Sequence, residues 1–279
     1  MQKLLVCTDL DRTLIPNGQL LESPNARSFF RRFVAHSVVS LVYVTGRHLA
    51  LVEQAIADYD LPVPDFVIPD VGASIYENQG QHWHRWQSWD DRLAKDWGQK
   101  TAADVAALLQ DIADCRLQEP EKQGLHKLSY YVELDIEAIA VIEQVKTRLS
   151  AAGLQANYIW SIDEEAQVGL LDILPQNANK YEAIAFLMNE QDFSTANTVF
   201  SGDSGNDRDV LISPIRSILV ANANTDLKQQ IQATVEKAKT TDTFYLAKGN
   251  FLGMNGNYSA GILEGIIHYF PQTKTWLSC

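Results

Sequence analysis

The chain has 279 residues, 46% of them hydrophobic, and a formal net charge of −12. This length predicts one or two domains with enough apolar material for a core. The negative charge disfavours nucleic acid or an anionic membrane surface as a partner, but an anionic small substrate stays open because a local metal ion or lysine can reverse the field. Cys7, Cys115 and Cys279 lie far apart and indicate reduced thiols, and we find no signal-peptide pattern or bilayer-spanning run. We therefore expect a cytoplasmic protein.

The first part of the chain alternates short apolar runs with amphipathic stretches. The run at 4–8 has no helical period, which is typical of a strand buried in a parallel sheet. By the same reasoning we predict strands at 38–44 and 66–68, and helices at 22–33 and 48–59. Alternation of strand and helix favours a doubly wound parallel sheet.

The character of the sequence changes near residue 80. Apolar residues at helical spacing predict helices at 101–112 and 136–149. Strands are predicted at 127–134, 157–160 and 168–173, and the first of these alternates like a half-buried strand. Two helices beside short strands favour an antiparallel α+β module.

The doubly wound pattern then resumes with helices at 179–189 and 260–269 and strands at 198–200 and 217–220. We therefore predict an α/β fold with a doubly wound, mainly parallel, Rossmann-like sheet and an inserted α+β cap. The predicted core is discontinuous and covers residues 1–78 and 174–279, with the cap at 79–173.

Polar residues that can carry chemistry follow several of these strands. They are Asp9 and Asp11 after the first strand, Thr45 and Arg47 after the second, Lys180 at the start of a helix, and Asp203, Asn206 and Asp207 after a later strand. The carboxyl ends of parallel strands meet at one edge of the sheet, where ligands bind. Four carboxylates meeting there would repel one another, so we expect a hard divalent cation, and Mg²⁺ suits carboxylate ligands and a substrate phosphate. A lysine and a threonine beside it favour a bound phosphoryl group.

These motifs carry a family resemblance. The stretches Asp9-Leu10-Asp11-Arg12-Thr13-Leu14, Thr45-Gly46-Arg47, Lys180 and Gly202-Asp203-Ser204-Gly205-Asn206-Asp207 resemble, in order, the four motifs of the haloacid dehalogenase (HAD) superfamily of phosphatases. The insertion resembles the large α/β cap of one subfamily. Within that subfamily, His126-Lys127-Leu128-Ser129-Tyr130-Tyr131, Asp172-Ile173-Leu174-Pro175 and residues 259–270 are similar to the sucrose-phosphate phosphatase group.

The resemblance implies roles for individual residues. Asp9 would be the nucleophile that forms an aspartyl-phosphate, and Asp11 the general acid and base. Thr45 and Lys180 would hold the phosphoryl group. The implied Mg²⁺ ligands are the Asp9 carboxylate, the Asp11 backbone carbonyl and Asp203, with Asp207 supporting them. The implied substrate-binding residues are Gly46, Arg47 and Asn206 in the core, and Lys127, Ser129 and Tyr130 in the cap.

The resemblance also implies a hydrolase acting on a sugar phosphate, with sucrose 6-phosphate as the leading substrate. Mannosylfructose phosphate, glucosylglycerol phosphate and glucosylglycerate phosphate are alternatives. A phosphomannomutase-like phosphotransferase keeps the same aspartates, and a catalytically silent sugar-phosphate-binding module is a third hypothesis. A glycosyltransferase of the same pathway is the protein partner to consider. Arg12 departs from the family pattern, since glycine or asparagine commonly follows the second aspartate.

Overall fold

The computed structural model describes residues 3–80, 82–163 and 166–277. In these ranges twelve strands form two separate sheets, surrounded by nine helices. The strands are β1 (Leu4–Thr8), β2 (Val39–Val44), β3 (Phe66–Ile68), β4 (Tyr76–Asn78), β5 (Trp83–Arg85), β6 (Arg116–Leu117), β7 (Leu128–Glu133), β8 (Ala156–Asp163), β9 (Val168–Pro175), β10 (Thr198–Gly202), β11 (Arg216–Leu219) and β12 (Phe244–Leu246). The helices are α1 (Ala26–Val34), α2 (Leu49–Asp58), α3 (Gln87–Ala94), α4 (Ala102–Leu109), α5 (Ala138–Ala151), α6 (Lys180–Glu190), α7 (Arg208–Leu211), α8 (Thr225–Ala238) and α9 (Ser259–Tyr269).

The larger sheet has eight strands in the order β12-β11-β10-β1-β2-β3-β4-β5. The first six strands of this order pair in parallel, and the hairpin of β4 and β5 adds two antiparallel strands at one edge. The chain builds outward from β1 in one direction, then returns to build outward in the other. This confirms the predicted doubly wound, mainly parallel sheet, since a topological switch beside β1 defines that architecture.

Burial on both faces explains why β1 is uniformly apolar. All five of its residues are buried. Val6 packs in the cluster that includes Phe30 of α1 and Leu263 of α9, whereas Cys7 packs in the opposite cluster with Ile184 of α6. A central parallel strand covered by helices on both sides needs such a continuous run.

The smaller sheet is antiparallel, in the order β6-β7-β9-β8. One of its faces packs on α4 and α5, with Val105, Val145 and Leu171 in the shared core. This sheet is the α+β unit expected within the insertion. The strand β5 lies beyond residue 79 and still pairs with β4 in the larger sheet. The domain boundaries at residues 79 and 173 stay a prediction.

Several elements differ from the sequence predictions. The first helix begins at Ala26 instead of residue 22, because Asn25 adopts a left-handed backbone conformation directly before it. The unpredicted elements include the helices α3, α7 and α8 and the strands β4, β6 and β12. For α8 a signal was present, since Ile231 and Val235 are buried one helical turn apart. None of the helices in the described ranges combines the length and apolar character that a bilayer span requires.

The two segments that connect the sheets are tied to each other. The chain leaves the larger sheet through α3 and returns after β9. The buried Asp96 carboxylate accepts hydrogen bonds from the backbone N–H and the side-chain amide of Asn177, at 2.8 and 2.9 Å. This link fixes the outgoing segment against the returning one, so it constrains how the smaller sheet sits over the larger one.

Close packing of α9 on the sheet gives a test of this fold. A side chain at Gly265 would meet the buried Ile218 side chain of β11. Gly265→Ala should therefore destabilise the protein by about 1–3 kcal/mol, because overpacking outweighs the gain in helix propensity. Denaturant unfolding measures this loss. The double variant with Ile218→Ala should lose less than the sum of the single losses, and strict additivity would contradict the contact.

Candidate active site

The predicted catalytic residues meet at the carboxyl edge of the larger sheet. Asp9 follows β1, Thr45 follows β2, Asp203 follows β10, and Lys180 is the first residue of α6. Asp9, Thr45, Lys180 and Asp203 are all at most 5% exposed. The parallel topology explains the convergence, since these strand ends lie side by side.

Lys180 forms the centre of the site. Its fully buried Nζ atom lies 3.0 Å from Asp9 Oδ1, 2.7 Å from Asp207 Oδ1 and 3.1 Å from Asn206 Oδ1. Burial lowers the pKa of the Lys180 ammonium, but the Asp207 and Asp9 carboxylates outweigh it and raise that pKa above its usual value. Lys180 therefore stays charged and fixes the orientation of Asp9.

Asp207 holds the last motif together. Its Oδ2 atom accepts the backbone N–H groups of Asp203 and Ser204, each at 3.0 Å, while Oδ1 accepts from Lys180. The Asp207 carboxylate lies where a side chain at Gly202 would be, so the close approach requires glycine. Because both oxygens of Asp207 have partners, its main contribution is to position Lys180 and the Asp203 turn.

Negative charge exceeds positive charge in this buried cluster. Ligand oxygens of Asp9, Asp203 and Asp207 all lie within 4.8 Å of one another. Burial raises the pKa of Asp9 to about 7; Lys180 opposes this shift, and the Asp207 and Asp203 carboxylates add to it. Burial and the Asp207 carboxylate raise the pKa of Asp203 to about 6. A divalent cation would relieve this repulsion, and hard carboxylate oxygens are suitable donors for one. Asp9 and Asp203 are the residues best placed to hold it.

Asp11 faces a different partner. Its carboxylate forms a bidentate pair with Arg47, at 2.8 Å to Nε and 2.6 Å to Nη2, and accepts a further hydrogen bond from Asn17 Nδ2 at 2.7 Å. Burial raises the pKa of Asp11, but the hydrogen bonds and charge of Arg47 outweigh it, so this pKa lies below its usual value. The Asp11 side chain is outside the acidic cluster in the described structure, and metal binding through its backbone carbonyl stays a prediction.

A cleft of about 790 Å³ separates this edge from the open face of the smaller sheet. Arg12, Gly46, Arg47 and Asn206 line the cleft from the core. The Thr45 hydroxyl lies beneath it and accepts the backbone N–H of Arg47 at 3.2 Å. From the opposite side, the lining residues are Gln118, Lys122 and Lys127 of the segment between β6 and β7, and Asn157, Tyr158, Ile159, Trp160, Ser161, Leu170 and Asp172 of β8 and β9.

The predicted cap residues divide between the two faces of β7. Lys127 Nζ reaches Asp70 Oδ1 at 3.0 Å and lies 3.8 Å from Asp172 Oδ2, and Ser129 Oγ donates to Asp172 Oδ1 at 2.5 Å. Tyr130 instead points into the hydrophobic core of the smaller sheet and does not line the cleft. Alternation along the strand is the reason. Ser129 is 1% exposed and does not line the cleft either, so the placement fits neither the predicted substrate contact of Tyr130 nor that of Ser129.

Sequence reasoning missed Asn17 and Asp70. Asn17 binds both the Asp11 carboxylate and the Arg12 backbone N–H. Asp70 follows β3 at the same edge of the sheet and pairs with Lys127, which links core and smaller sheet. The position of Asp70 after a predicted strand was a usable signal, whereas Asn17 lies in a loop that carries no periodic pattern.

Comparison with known proteins agrees with this geometry. The family model described as sucrose-6F-phosphate phosphohydrolase matches residues 2–270. The chain belongs to this family. A HAD-like relative that is 49% identical confirms the predicted HAD membership. The family match and the related phosphatases confirm the enzyme class of phosphoric monoester hydrolase.

Individual relatives extend over nearly the whole chain. A Nitrosococcus oceani protein, named as HAD-like without a stated substrate, is 49% identical over 99% of this chain and 74% of its own length. The mannosylfructose-phosphate phosphatase of Agrobacterium fabrum is 27% identical over 95% of this chain and 96% of its own. The Synechocystis sucrose-phosphatase structure in complex with sucrose and phosphate has a TM-score of 0.74 and 25% identity, covering 97% of this chain and 99% of that one. The chain spans only about three fifths of the plant sucrose-phosphatases that it matches.

The buried lysine provides a stability test. In metal-free protein, Lys180→Met should cost about 3–5 kcal/mol of unfolding free energy, because it leaves buried carboxylates without their cation. The loss should be larger at pH 8 than at pH 6, since protonation of the carboxylates relieves the repulsion.

The matched control is Lys146→Met on α5, whose half-exposed side chain pairs with Glu143 at 2.7 Å. That change should cost at most about 1 kcal/mol. Equal losses in the two variants, measured by denaturant unfolding, would contradict the central position of Lys180.

Proposed function

We propose that this protein is a Mg²⁺-dependent phosphatase that hydrolyses a sugar phosphate, with sucrose 6-phosphate as the leading substrate. The observation that carries the proposal is the buried Asp9–Lys180 pair, which lies in an acidic cluster below a cleft large enough for a disaccharide phosphate. Cytoplasmic location and association with a glycosyltransferase stay predictions.

In the proposed first step, an oxygen of the Asp9 carboxylate attacks phosphorus and the bond to the sugar oxygen breaks. Asp11 gives its proton to that leaving oxygen, and an aspartyl-phosphate remains on Asp9. Lys180 stays paired with Asp9 and neutralises charge as the phosphoryl group transfers. The Thr45 hydroxyl and the backbone of Gly46 are the nearby donors for phosphoryl oxygens. Bound Mg²⁺ would supply charge neutralisation at the transferring phosphoryl group.

In the second step, Asp11 takes a proton from water, the water oxygen attacks phosphorus, and the acyl-phosphate bond breaks. The products are inorganic phosphate and the restored Asp9 carboxylate. The ion pair with Arg47 keeps Asp11 ionised, as a general base in the second step must be. To act as the general acid in the first step, Asp11 must be protonated, which requires its ion pair with Arg47 to loosen. Arg47 lies at the surface of the cleft, so an entering substrate can reach it.

The smaller sheet supplies the groups that can recognise a sugar. Asp172 and Asn157 present acceptors and donors for hydroxyl groups, and Ile159 offers an apolar surface for a sugar ring. Lys127 bridges Asp70 of the core and Asp172 of the smaller sheet, so it can shield the reacting centre from water. The family match supports sucrose 6-phosphate, while the mannosylfructose-phosphate phosphatase relative supports the wider class of glycoside phosphates.

A phosphate-release screen on glycoside phosphates with Mg²⁺ tests the proposal. Sucrose 6-phosphate should exceed glucose 6-phosphate by about tenfold or more in kcat/KM, since unpaired polar groups in the cleft penalise the smaller ester. Asp9→Asn and Asp11→Asn should each stop release. Equal rates on the two esters would contradict the assignment of sucrose 6-phosphate as the substrate. Conversion of a hexose 6-phosphate to its 1-phosphate without phosphate release would contradict hydrolysis.

Proton release on Mg²⁺ binding tests whether Asp9 and Asp203 hold the cation. The pKa of Asp9 is raised to about 7 and that of Asp203 to about 6, so part of the metal-free protein carries a proton there near pH 6. Mg²⁺ must displace that proton. Its affinity should therefore fall as pH drops from 8 to 6, and calorimetry in buffers of different ionisation enthalpy should detect proton release near pH 6 and almost none near pH 8.5.

Two variants control this measurement. Asp203→Asn should abolish Mg²⁺ binding, whereas Asp172→Asn, which changes a cleft carboxylate outside the acidic cluster, should preserve it. Proton release that is unchanged between pH 6 and pH 8.5 would contradict the assignment of the cation to these carboxylates.

A further inference from the structure

Arg12 has an unfavourable backbone conformation for an arginine. Its φ is +56°, in the left-handed region that favours glycine and asparagine and costs other residues about 1 kcal/mol. Two asparagines hold this conformation: Asn17 Oδ1 accepts the Arg12 N–H at 2.8 Å, and Asn222 Nδ2 donates to the Arg12 carbonyl at 2.6 Å. The loop therefore does not depend on an arginine side chain for its shape, and an observed strain of this kind points to a functional reason for the residue.

The Arg12 side chain lies against a carboxylate of the acidic cluster. Its Nε atom is 3.3 Å from Asp203 Oδ2, while the other oxygen of Asp203 accepts from the Thr13 hydroxyl at 3.2 Å. The side chain is 58% exposed and lines the cleft. Its terminal nitrogens make no hydrogen bond within the described ranges. The contact is therefore a single-point, solvent-facing ion pair that can exchange for another cation.

The charge distribution explains why Asp203 holds this partner. Lys180 contacts Asp9 and Asp207 directly, and no lysine or arginine other than Arg12 lies within 4.0 Å of Asp203 in the described chain. Arg12 is thus the main counter-ion of Asp203.

The other cations of the cleft have their own partners. Arg47 binds Asp11 bidentately, Lys127 binds Asp70, and Lys122 donates to the Tyr131 hydroxyl at 2.8 Å. A divalent cation held by Asp9 and Asp203 would meet the Arg12 guanidinium at the same carboxylate. Two positive charges cannot share that carboxylate without repulsion.

We propose that Arg12 is a built-in counter-ion that competes with the divalent cation for Asp203 and so weakens cation binding. Occupation of the site then displaces the guanidinium into the cleft. The inference rests on the metal-dependent site proposed above, but it concerns cation affinity instead of catalysis.

The test is the Kd of Mg²⁺ for EDTA-stripped protein, measured by calorimetry. Arg12→Asn suits the left-handed backbone and removes the charge, so Mg²⁺ should bind about tenfold more tightly than in the parent. Arg12→Lys keeps the charge and should stay close to the parent. Lys146→Gln on α5 removes one distant positive charge and should also leave Kd unchanged. The gain in Arg12→Asn should shrink at high salt, because the pair faces solvent.

Three results would overturn the proposal. They are an unchanged Kd in Arg12→Asn, a weaker Kd in Arg12→Asn, or no Mg²⁺ binding in either protein. An unchanged Kd with a raised KM for phosphate esters would assign the guanidinium to the substrate instead. If Arg12→Asn gains affinity for Mg²⁺ but the protein hydrolyses no ester, the counter-ion role of Arg12 would be supported and the phosphatase function rejected. The two proposals can therefore fail separately.

Discussion

The site depends on one buried ammonium group among several carboxylates. Lys180 binds Asp9 and Asp207 directly, but a single positive charge does not neutralise the cluster that also contains Asp203. Because burial of unbalanced charge is costly, the pKa values of Asp9 and Asp203 are raised, and a cation bound between them would be stabilised. The same deficit would suit the proposed reaction, because Lys180 orients the Asp9 carboxylate and a bound cation would mask the charge of that carboxylate.

The fold supplies the positions for this arrangement. Parallel pairing of β1, β2 and β10 brings the ends of three strands to one edge, and α6 places Lys180 at its first residue. The smaller sheet turns its open face toward that edge, and its opposite face packs on α4 and α5. Asp96 and Asn177 tie the two connecting segments together. The rigid edge therefore holds the reacting groups, while the sheet above it shapes the cleft.

Much of this could be predicted because strand periodicity and strand ends are local signals. The apolar run of β1 and the motif after it identified Asp9, and the order of the later motifs placed Thr45, Lys180 and Asp203 beside it. Tyr130 shows the limit of a motif match, because it points into the core of the smaller sheet, whereas Lys127, just before β7, lines the cleft. The pairing of Asp11 with Arg47 and Asn17 depends on side-chain geometry between separate loops, which periodicity does not encode.

The central claim is that Asp9, held by Lys180, carries the phosphoryl group. The most direct measurement is mass-spectrometric mapping of the phosphorylated peptide after acid quenching of the enzyme during turnover of a sugar phosphate with Mg²⁺. The account predicts an acyl-phosphate on Asp9 that disappears on treatment with hydroxylamine. Phosphorylation of a different residue would contradict the account.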